Sequence, residues 1–196
     1  MLDLSTMNAV QVDPGARTAL RSFGTPLAVE LGPMEYTVVN SLLDPAYPRG
    51  ALNYWKSSFL RELSPDAIDA IVAAFGDCPS PASAFVLENL HGQVTRVPVD
   101  ATAVPHREHG YNFLITSVWH DAVATDANIA WTRQAFAAVQ PFTVARRYVN
   151  YIAGDEGDES VREAYGSNYP RLVEVKTTYD PANLFRLNQN IAPSGG

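Results

Sequence analysis

The residues best suited to chemistry are a tyrosine and an asparagine in the C-terminal third of the chain. Tyr148 and Asn150 stand two apart in a run, residues 147–152, that predicts a strand, so their side chains are expected on one face. A phenol beside an amide suits proton transfer and recognition of a carbonyl or ring edge. Tyr151 is expected on the opposite face, in the core. Spacing alone also fits a buried tyrosine with a satisfied hydroxyl.

Other reactive residue types are isolated in the sequence. His106 and His109 form an H-x-x-H pair beside Glu108, but on a strand this spacing sends the rings to opposite faces, and a metal would need a third ligand. The acidic run at 155–159 lacks the alternating spacing of a calcium loop and predicts a solvated loop. Cys78 has no CxxC partner and is predicted to be a surface or half-buried thiol.

Bulk properties exclude several classes of protein. The 196 residues are 46% hydrophobic and 18% charged, which is typical of a globular domain with its own core. The net charge of -7 argues against a nucleic-acid surface, as phosphate binding needs clustered basic residues. A single cysteine cannot form an internal disulfide. The sequence shows no signal peptide and no long apolar run, so no membrane span and a cytoplasmic location are expected.

Strands and helices alternate along the chain. Helices are predicted at 65–76, 126–139 and 168–176, with a short helix after the acidic run and one helical turn at 183–185 capped by Asp180. Strands are predicted at 10–13, 53–60, 84–90, 93–97, 110–119 and 147–152, and a strand or mixed element at 36–43. The strands at 84–90 and 93–97 would form a hairpin, and 110–119 would be central and covered on both faces. The fold class is therefore predicted to be α+β, an antiparallel sheet with helices packed on one face.

The first long helix has the clearest boundaries. Ser64 is predicted as its N-cap, Pro65 as its first residue and Gly76 as its end. Its buried face is predicted from the spacing i, i+3, i+4, i+7 as Ile68, Ile71, Val72 and Phe75.

The motif Y-V-N-Y at 148–151 and the closing run at 168–191, N-Y-P-R-L-V-E-V-K-T-T-Y-D-P-A-N-L-F-R-L-N-Q-N-I, resemble the C-terminal part of berberine bridge enzyme-like FAD-linked oxidases. The similarity extends back through 102–107 and 53–59 to about Leu20. In that family this region is a substrate domain that covers a flavin held by a separate domain. The resemblance implies a remnant strand of the flavin domain at 1–19 and a substrate domain at 20–196.

The resemblance also implies roles for individual residues. Tyr148 and Asn150 would face the flavin and substrate, with Tyr148 as the base and Tyr151 as a third catalytic residue. Cofactor contacts are expected from Asn188, Gln189 and Asn190. Substrate contacts are expected from Arg146, Arg147, Trp55, Lys56, Tyr111 and His106.

The sequence departs from the family pattern. The rest of the FAD domain is not found here, including the histidine and cysteine that commonly tether the flavin, and Cys78 lies in the wrong region to replace that cysteine. Side chains at 145–147 stand where the family often has glycines. FAD is therefore implied by resemblance only, and this chain alone is not expected to bind it.

Three functions are compatible with these observations. The first is a shortened FAD-linked oxidoreductase-like protein that binds a small secondary-metabolite substrate. The second is a flavin-independent cyclase, isomerase or lyase that uses Tyr148 as acid or base and Arg146 or Arg147 to hold an anion. The third is a non-catalytic dimerising module. An uncovered sheet face would favour a homodimer or a flavin-domain partner in trans.

Overall fold

The computed structural model describes residues 33–195. The chain divides into two compact units, Met1–Asp44 and Pro45–Gly196. In the described part of the first unit, helix α1 (Tyr36–Ser41) replaces the strand or mixed element predicted there, because Val38 and Val39 donate backbone hydrogen bonds to the Glu35 carbonyl. The predicted strand at 10–13 and the predicted domain boundary at 19/20 lie outside the described residues.

The second unit is built on a four-stranded antiparallel sheet with the order β2-β3-β1-β4. Strand β3 lies between β1 and β2, and all of its residues except Tyr111 are buried. This confirms the prediction of a central strand covered on both faces. The bounds of the strands are β1 (Leu52–Leu60), β2 (Ala84–Leu90), β3 (Gly110–Trp119) and β4 (Thr143–Val144).

Helices α2 and α3 pack on one face of this sheet. The side chains that form the core between them are Leu60, Phe113, Ile115, Trp131, Ala135 and Val139. A second, smaller cluster joins Ile152 to Val161 and Ala164 of α4. The predicted fold class is confirmed. The bounds of the helices are α2 (Pro65–Gly76), α3 (Thr125–Val139), α4 (Asp158–Tyr165) and α5 (Tyr169–Tyr179).

Helix α2 begins as predicted but buries a different face. The Ser64 hydroxyl oxygen accepts the Ala67 backbone N–H at 3.2 Å, which confirms the N-cap. Ala67 is buried, and Ile71 and Ala74 pack against the core. The predicted Ile68, Val72 and Phe75 are instead 44%, 65% and 42% exposed. The small alanines allow close approach, and the Trp131 indole of α3 reaches the Ala74 carbonyl at 3.0 Å.

Three other predicted elements are wrong. Residues 93–97 and 147–152 are not strands; they contain the 3₁₀ turns Val94–Arg96 and Val149–Tyr151, each closed by a backbone hydrogen bond of the i to i+3 type. Strand β2 pairs with β3, so there is no hairpin between 84–90 and 93–97. No helical turn forms at 183–185, although Asp180 does accept the backbone N–H groups of Leu184 and Phe185.

Between residues 33 and 195, no helix combines the length and the apolar character needed to cross a membrane.

Candidate functional site

The sheet face opposite α2 and α3 carries a row of side chains from three strands. Because neighbours along a strand point to opposite faces, Phe59 and Asn112 point away from the core residues Leu60 and Phe113. Phe59 is paired with Asn112 across β1 and β3, and Asn112 with Glu88 across β3 and β2. This row forms the base of the candidate site.

A cleft of about 300 Å³ lies over this row. The turn at 149–151 and the loop before β3 supply its other walls. The side chains that line the cleft include both apolar and titratable groups: Phe59, Glu88, Leu90, Val94, Val104, His106, Arg107, Asn112, Tyr148 and Tyr151. An apolar cleft with a few convergent polar groups is the usual form of a small-molecule site.

Glu88 joins the sheet to the turn. One carboxylate oxygen accepts the Asn112 side-chain N–H at 2.6 Å, and the other accepts the Tyr151 hydroxyl at 2.9 Å. Burial, together with the neighbouring Glu88 carboxylate, raises the pKa of Tyr151 well above its ordinary value. Tyr151 therefore holds its proton at neutral pH and acts as a hydrogen-bond donor.

Tyr148 lies beside Tyr151, with the ring centroids 5.0 Å apart and edge to face. The Asn150 amide donates to the Tyr148 hydroxyl at 3.1 Å, so the predicted phenol–amide pair does form. The reason is not strand geometry: in a 3₁₀ turn residues i and i+3 lie above one another, which brings Tyr148 and Tyr151 to the same side. The expectation that Tyr151 points into the core, away from Tyr148, is wrong.

His106 is nearly fully buried behind Tyr148. It stacks on Phe59 with centroids 4.4 Å apart and meets the Tyr148 ring edge at 6.5 Å. Burial lowers the pKa of His106, and the charges of Arg146 and Arg107 lower it further, although the Arg147 backbone acts in the opposite direction. The ring is therefore neutral at neutral pH. Its Nδ1 atom has no hydrogen-bond partner among residues 33–195.

The sheet separates the predicted substrate contacts. Trp55 lies on the site face, where its ring meets Tyr151 at 6.0 Å. Lys56 and Tyr111 lie on the helix-covered face instead: the Lys56 ammonium is 5.5 Å from the Phe136 ring centroid of α3, and Tyr111 packs against the core. Those two side chains are not brought into the cleft.

The two adjacent arginines are already paired with carboxylates. The Arg146 guanidinium lies 2.6 Å from Glu108, and that of Arg147 lies 3.5 Å from Glu156 and 3.7 Å from Glu163. An anion held by Arg146 or Arg147, as the flavin-independent hypothesis requires, would have to compete with these contacts.

The acidic run contributes to this pairing, and the prediction of a solvated loop is wrong for one of its members, Glu156; Asp155 is 40% exposed. Asp155 accepts hydrogen bonds from Tyr54 and Arg133, both at 2.7 Å. The Glu156 side chain is only 12% exposed. Within the described range, no group of three or more histidine, cysteine or acidic side chains could hold a metal ion.

The predicted cofactor contacts lie on the closing segment next to the site. The Gln189 amide donates to the Ile152 carbonyl at 3.2 Å, which connects this segment to the end of the turn. Asn188 adopts a φ of 60°. Asn190 Oδ1 and Trp55 Nε1 are buried without partners among the described residues, one as an acceptor and the other as a donor. An acceptor and a donor are the kinds of atom that could pair with the N–H and carbonyl groups of a flavin ring.

Sequence reasoning missed Glu88 and Asn112. Glu88 is the one charged residue of β2, and Asn112 is an amide between two aromatic residues of β3, which was the available signal. Their contact depends on the register between β2 and β3, which the sequence alone does not specify.

Comparison with known proteins agrees with this architecture. Residues 147–192 match the family model "Berberine and berberine like". The chain is 32% identical to the uncharacterized FAD-linked oxidoreductase YvdP of Bacillus subtilis, over 87% of this chain and 39% of that protein. It is also 32% identical to berberine bridge enzyme-like 17 of Arabidopsis thaliana, over 81% of this chain and 33% of that protein. The solved structure of berberine bridge enzyme from Eschscholzia californica has the same fold, with a TM-score of 0.68 and 22% identity over 74% of this chain and 34% of that one.

These matches confirm the resemblance to FAD-linked oxidoreductases. Most of the chain is similar to a part of the berberine bridge enzyme-like FAD-linked oxidases, and residues 147–192 match the berberine-like family model. The chain spans only 33% to 39% of the length of the two curated relatives.

Proposed function

We propose that this chain is the substrate-binding part of an FAD-linked oxidoreductase and that a small organic molecule, of the secondary-metabolite type, binds in the 300 Å³ cleft. The observation that carries the proposal is the convergence of Tyr148, Tyr151, Glu88 and a neutral His106 on this one cleft. The volume suits a molecule of two or three fused rings.

Tyr148 and Tyr151 are proposed to have different roles in proton transfer. The Tyr148 hydroxyl accepts a hydrogen bond from Asn150, which orients its oxygen within the cleft to take a proton from a substrate hydroxyl. Tyr151 keeps its proton and donates to Glu88, so it holds that carboxylate in place. Phe59 and His106 provide a flat surface against which a ring could stack. FAD, when bound, would supply hydride acceptance, and Asn190 and Trp55 could hold its polar edge.

The flavin is proposed to come with a flavin-binding domain, in the same polypeptide or in a partner. A group of large apolar side chains on the closing segment supports this contact: Tyr179, Leu184, Phe185 and Leu187 are 71% to 86% exposed. The backbone at Leu184 and Phe185 is held in place, because Asp180 accepts both of their N–H groups and pairs with Lys176. Apolar side chains held outward in this way suit burial against another surface.

The partner proposal can be tested by sedimentation of the chain alone and with the flavin domain of the Bacillus relative. A 1:1 complex that shows flavin absorbance is expected, and Leu187→Ser should weaken it. Val123→Ser is the matched control, because Val123 is 90% exposed on a different surface. A monomer that never binds the flavin domain would contradict the proposal, and a homodimer would favour the dimerising module.

The catalytic proposal can be tested with the complex and a panel of hydroxylated ring compounds. Tyr148→Phe should reduce the rate of flavin reduction by about 100-fold or more. Tyr36→Phe removes a hydroxyl from a ring that is 61% exposed and belongs neither to the cleft nor to the closing segment, so it should leave the rate unchanged. Full rate in the Tyr148→Phe variant would refute the role of Tyr148 as the base.

A second function is favoured by one specific observation. The cleft contains a proton donor, Tyr151, hydrogen-bonded to a carboxylate, Glu88, and this pair needs no redox partner to support isomerisation or elimination. Turnover by protein that lacks flavin absorbance would favour this alternative. The cytoplasmic location and the identity of the substrate stay predictions of the sequence.

A further inference from the structure

Two clefts meet at one wall of the candidate site. The cleft over the sheet shares His106 and Arg107 with a second cleft of about 460 Å³. The second cleft lies between the 99–108 segment and the start of the 166–168 turn, and Ser167 lines it. A ligand in the sheet cleft could therefore place a substituent against Arg107.

Arg107 differs from the neighbouring arginines because no carboxylate compensates it. Arg146 and Arg147 each have an acidic partner within 4.0 Å, whereas no acidic side chain among residues 33–195 forms such a pair with Arg107. The Nε atoms of Arg107 and Arg147 are both buried without a hydrogen-bond partner among these residues, so the missing counter-charge is what distinguishes Arg107. A buried guanidinium N–H with no acceptor costs free energy unless a ligand supplies one.

The position of the guanidinium is fixed by the surrounding loop. Arg107 donates one hydrogen bond, from Nη2 to the Thr102 hydroxyl at 2.7 Å. The loop itself is held by the Asn168 amide, which donates to the carbonyls of Val99 and Thr102 at 2.7 and 3.0 Å. Asn168 is only 8% exposed. Arg107 is therefore held in place before any ligand binds, which lowers the entropy cost of binding.

We propose that Arg107, with His106 beside it, binds a carboxylate group of the ligand, so that the substrate class is a ring compound that carries a carboxylic acid. This inference rests on the proposed small-molecule cleft and adds its specificity. The guanidinium has five N–H donors in a planar fork that matches a carboxylate. The neutral His106 ring forms the adjacent part of the wall.

The charges around the cleft favour one orientation of such a ligand. Glu88 lies within the sheet cleft and repels a carboxylate from that end. Glu108 and Glu163 line the second cleft, but they pair with Arg146 and Arg147, whereas Arg107 has no acidic partner among the described residues. The positive potential at His106 comes from Arg107 and Arg146, the two arginines whose charges act on that ring. The acid group is therefore directed to Arg107 and the ring to Phe59 and Tyr148.

The test compares two probes of nearly equal shape, 2-naphthoate and the neutral 2-naphthamide, by titration calorimetry at neutral pH. Wild-type protein should bind the acid about 10-fold more tightly than the amide. Arg107→Gln should abolish this preference and leave amide binding within about 2-fold. Arg171→Gln is the control, because Arg171 is 75% exposed and pairs only with Glu174. Arg107→Lys keeps the charge without the fork and should retain part of the preference.

The outcomes separate the two proposals. Equal binding of acid and amide to the wild type would overturn the carboxylate proposal and leave the cleft proposal standing, as would an unchanged preference in Arg107→Gln. Loss of amide binding in an Arg107→Gln variant with a native circular dichroism spectrum would also overturn the carboxylate proposal. Arg107 would then maintain the shape of the cleft rather than bind the carboxylate group. If the wild type binds neither probe, the cleft proposal itself is contradicted.

Discussion

Glu156 pairs with two poorly exposed cations, Lys56 and Arg147. The Lys56 ammonium lies 3.2 Å from one of its oxygens and the Arg147 guanidinium 3.5 Å from the other. The exposed fractions of the three side chains are 13% for Lys56, 16% for Arg147 and 12% for Glu156. Glu156→Gln preserves the shape but leaves two poorly solvated cations without this counter-charge.

The size of the effect follows from this burial. Removal of one partner from a buried ion pair costs about 3–5 kcal/mol, because the other charge stays desolvated. Here Glu163 remains 3.7 Å from Arg147, and the residual exposure admits some water, so we expect a smaller loss, about 2–3 kcal/mol in the free energy of unfolding. For a chain of this size that corresponds to a Tm lower by about 4–12 °C.

Urea and thermal unfolding measure the effect directly. Glu174→Gln is the matched control, because Glu174 pairs with Arg171 at the surface with 66% and 75% exposure, and it should cost about 0.5 kcal/mol or less. Lys56→Met in the Glu156→Gln background should recover part of the loss, since it removes one of the uncompensated charges. A loss below about 1 kcal/mol, or one equal to the control, would refute the reasoning.

Three further perturbations test other parts of the structure. Gly110 has a φ of 146°, and an added Cβ would lie 2.4 Å from the Leu60 carbonyl oxygen, so Gly110→Ala should lower the free energy of unfolding by about 2 kcal/mol or more; a native Tm would contradict this. Burial lowers the pKa of His106, so the folded state prefers the neutral ring. The stability that this preference contributes should be fully present above the ordinary pKa of about 6.5 and should be lost as pH falls through the pKa of the folded state. An NMR titration of the imidazole protons checks this, and an ordinary or raised pKa would refute it. Glu88→Gln should lower the pKa of Tyr151, while burial keeps that pKa above its ordinary value. Titration of the phenolate absorbance should show the shift. An unchanged titration curve would show that Glu88 does not contribute to the raised pKa of Tyr151.

Elements with local signals could be predicted from the sequence. The start of α2 depends on Ser64 and Pro65, whose effects act within one turn, and both positions are as predicted. Strand β3 was recognisable because bulky residues occupy both of its faces. The buried face of α2 was predicted only in part. Ile71 packs against the core as predicted, whereas Ile68, Val72 and Phe75 are exposed. Alanines provide the close fit beside Trp131.

The candidate site depends on non-local geometry that the sequence could not supply. The run 147–152 predicted a strand, whereas a 3₁₀ turn brings Tyr148 over Tyr151. Pairing between β2 and β3 then places Glu88 within reach of Tyr151, although the two are 63 positions apart in the chain. The resemblance to the oxidase family identified the motif at 148–151, whereas its contacts with Glu88 and His106 are known only from the structure.

The central claim is that a small ring compound binds on the sheet face opposite α2 and α3, beside Tyr148. Chemical-shift mapping of isotopically labelled protein titrated with 2-naphthamide tests it most directly, as this neutral probe does not depend on Arg107. The account predicts that the largest shift changes fall on Tyr148, Tyr151 and His106. Changes confined to the helix-covered face, around Lys56 and Phe136, or no saturable change at all, would contradict it.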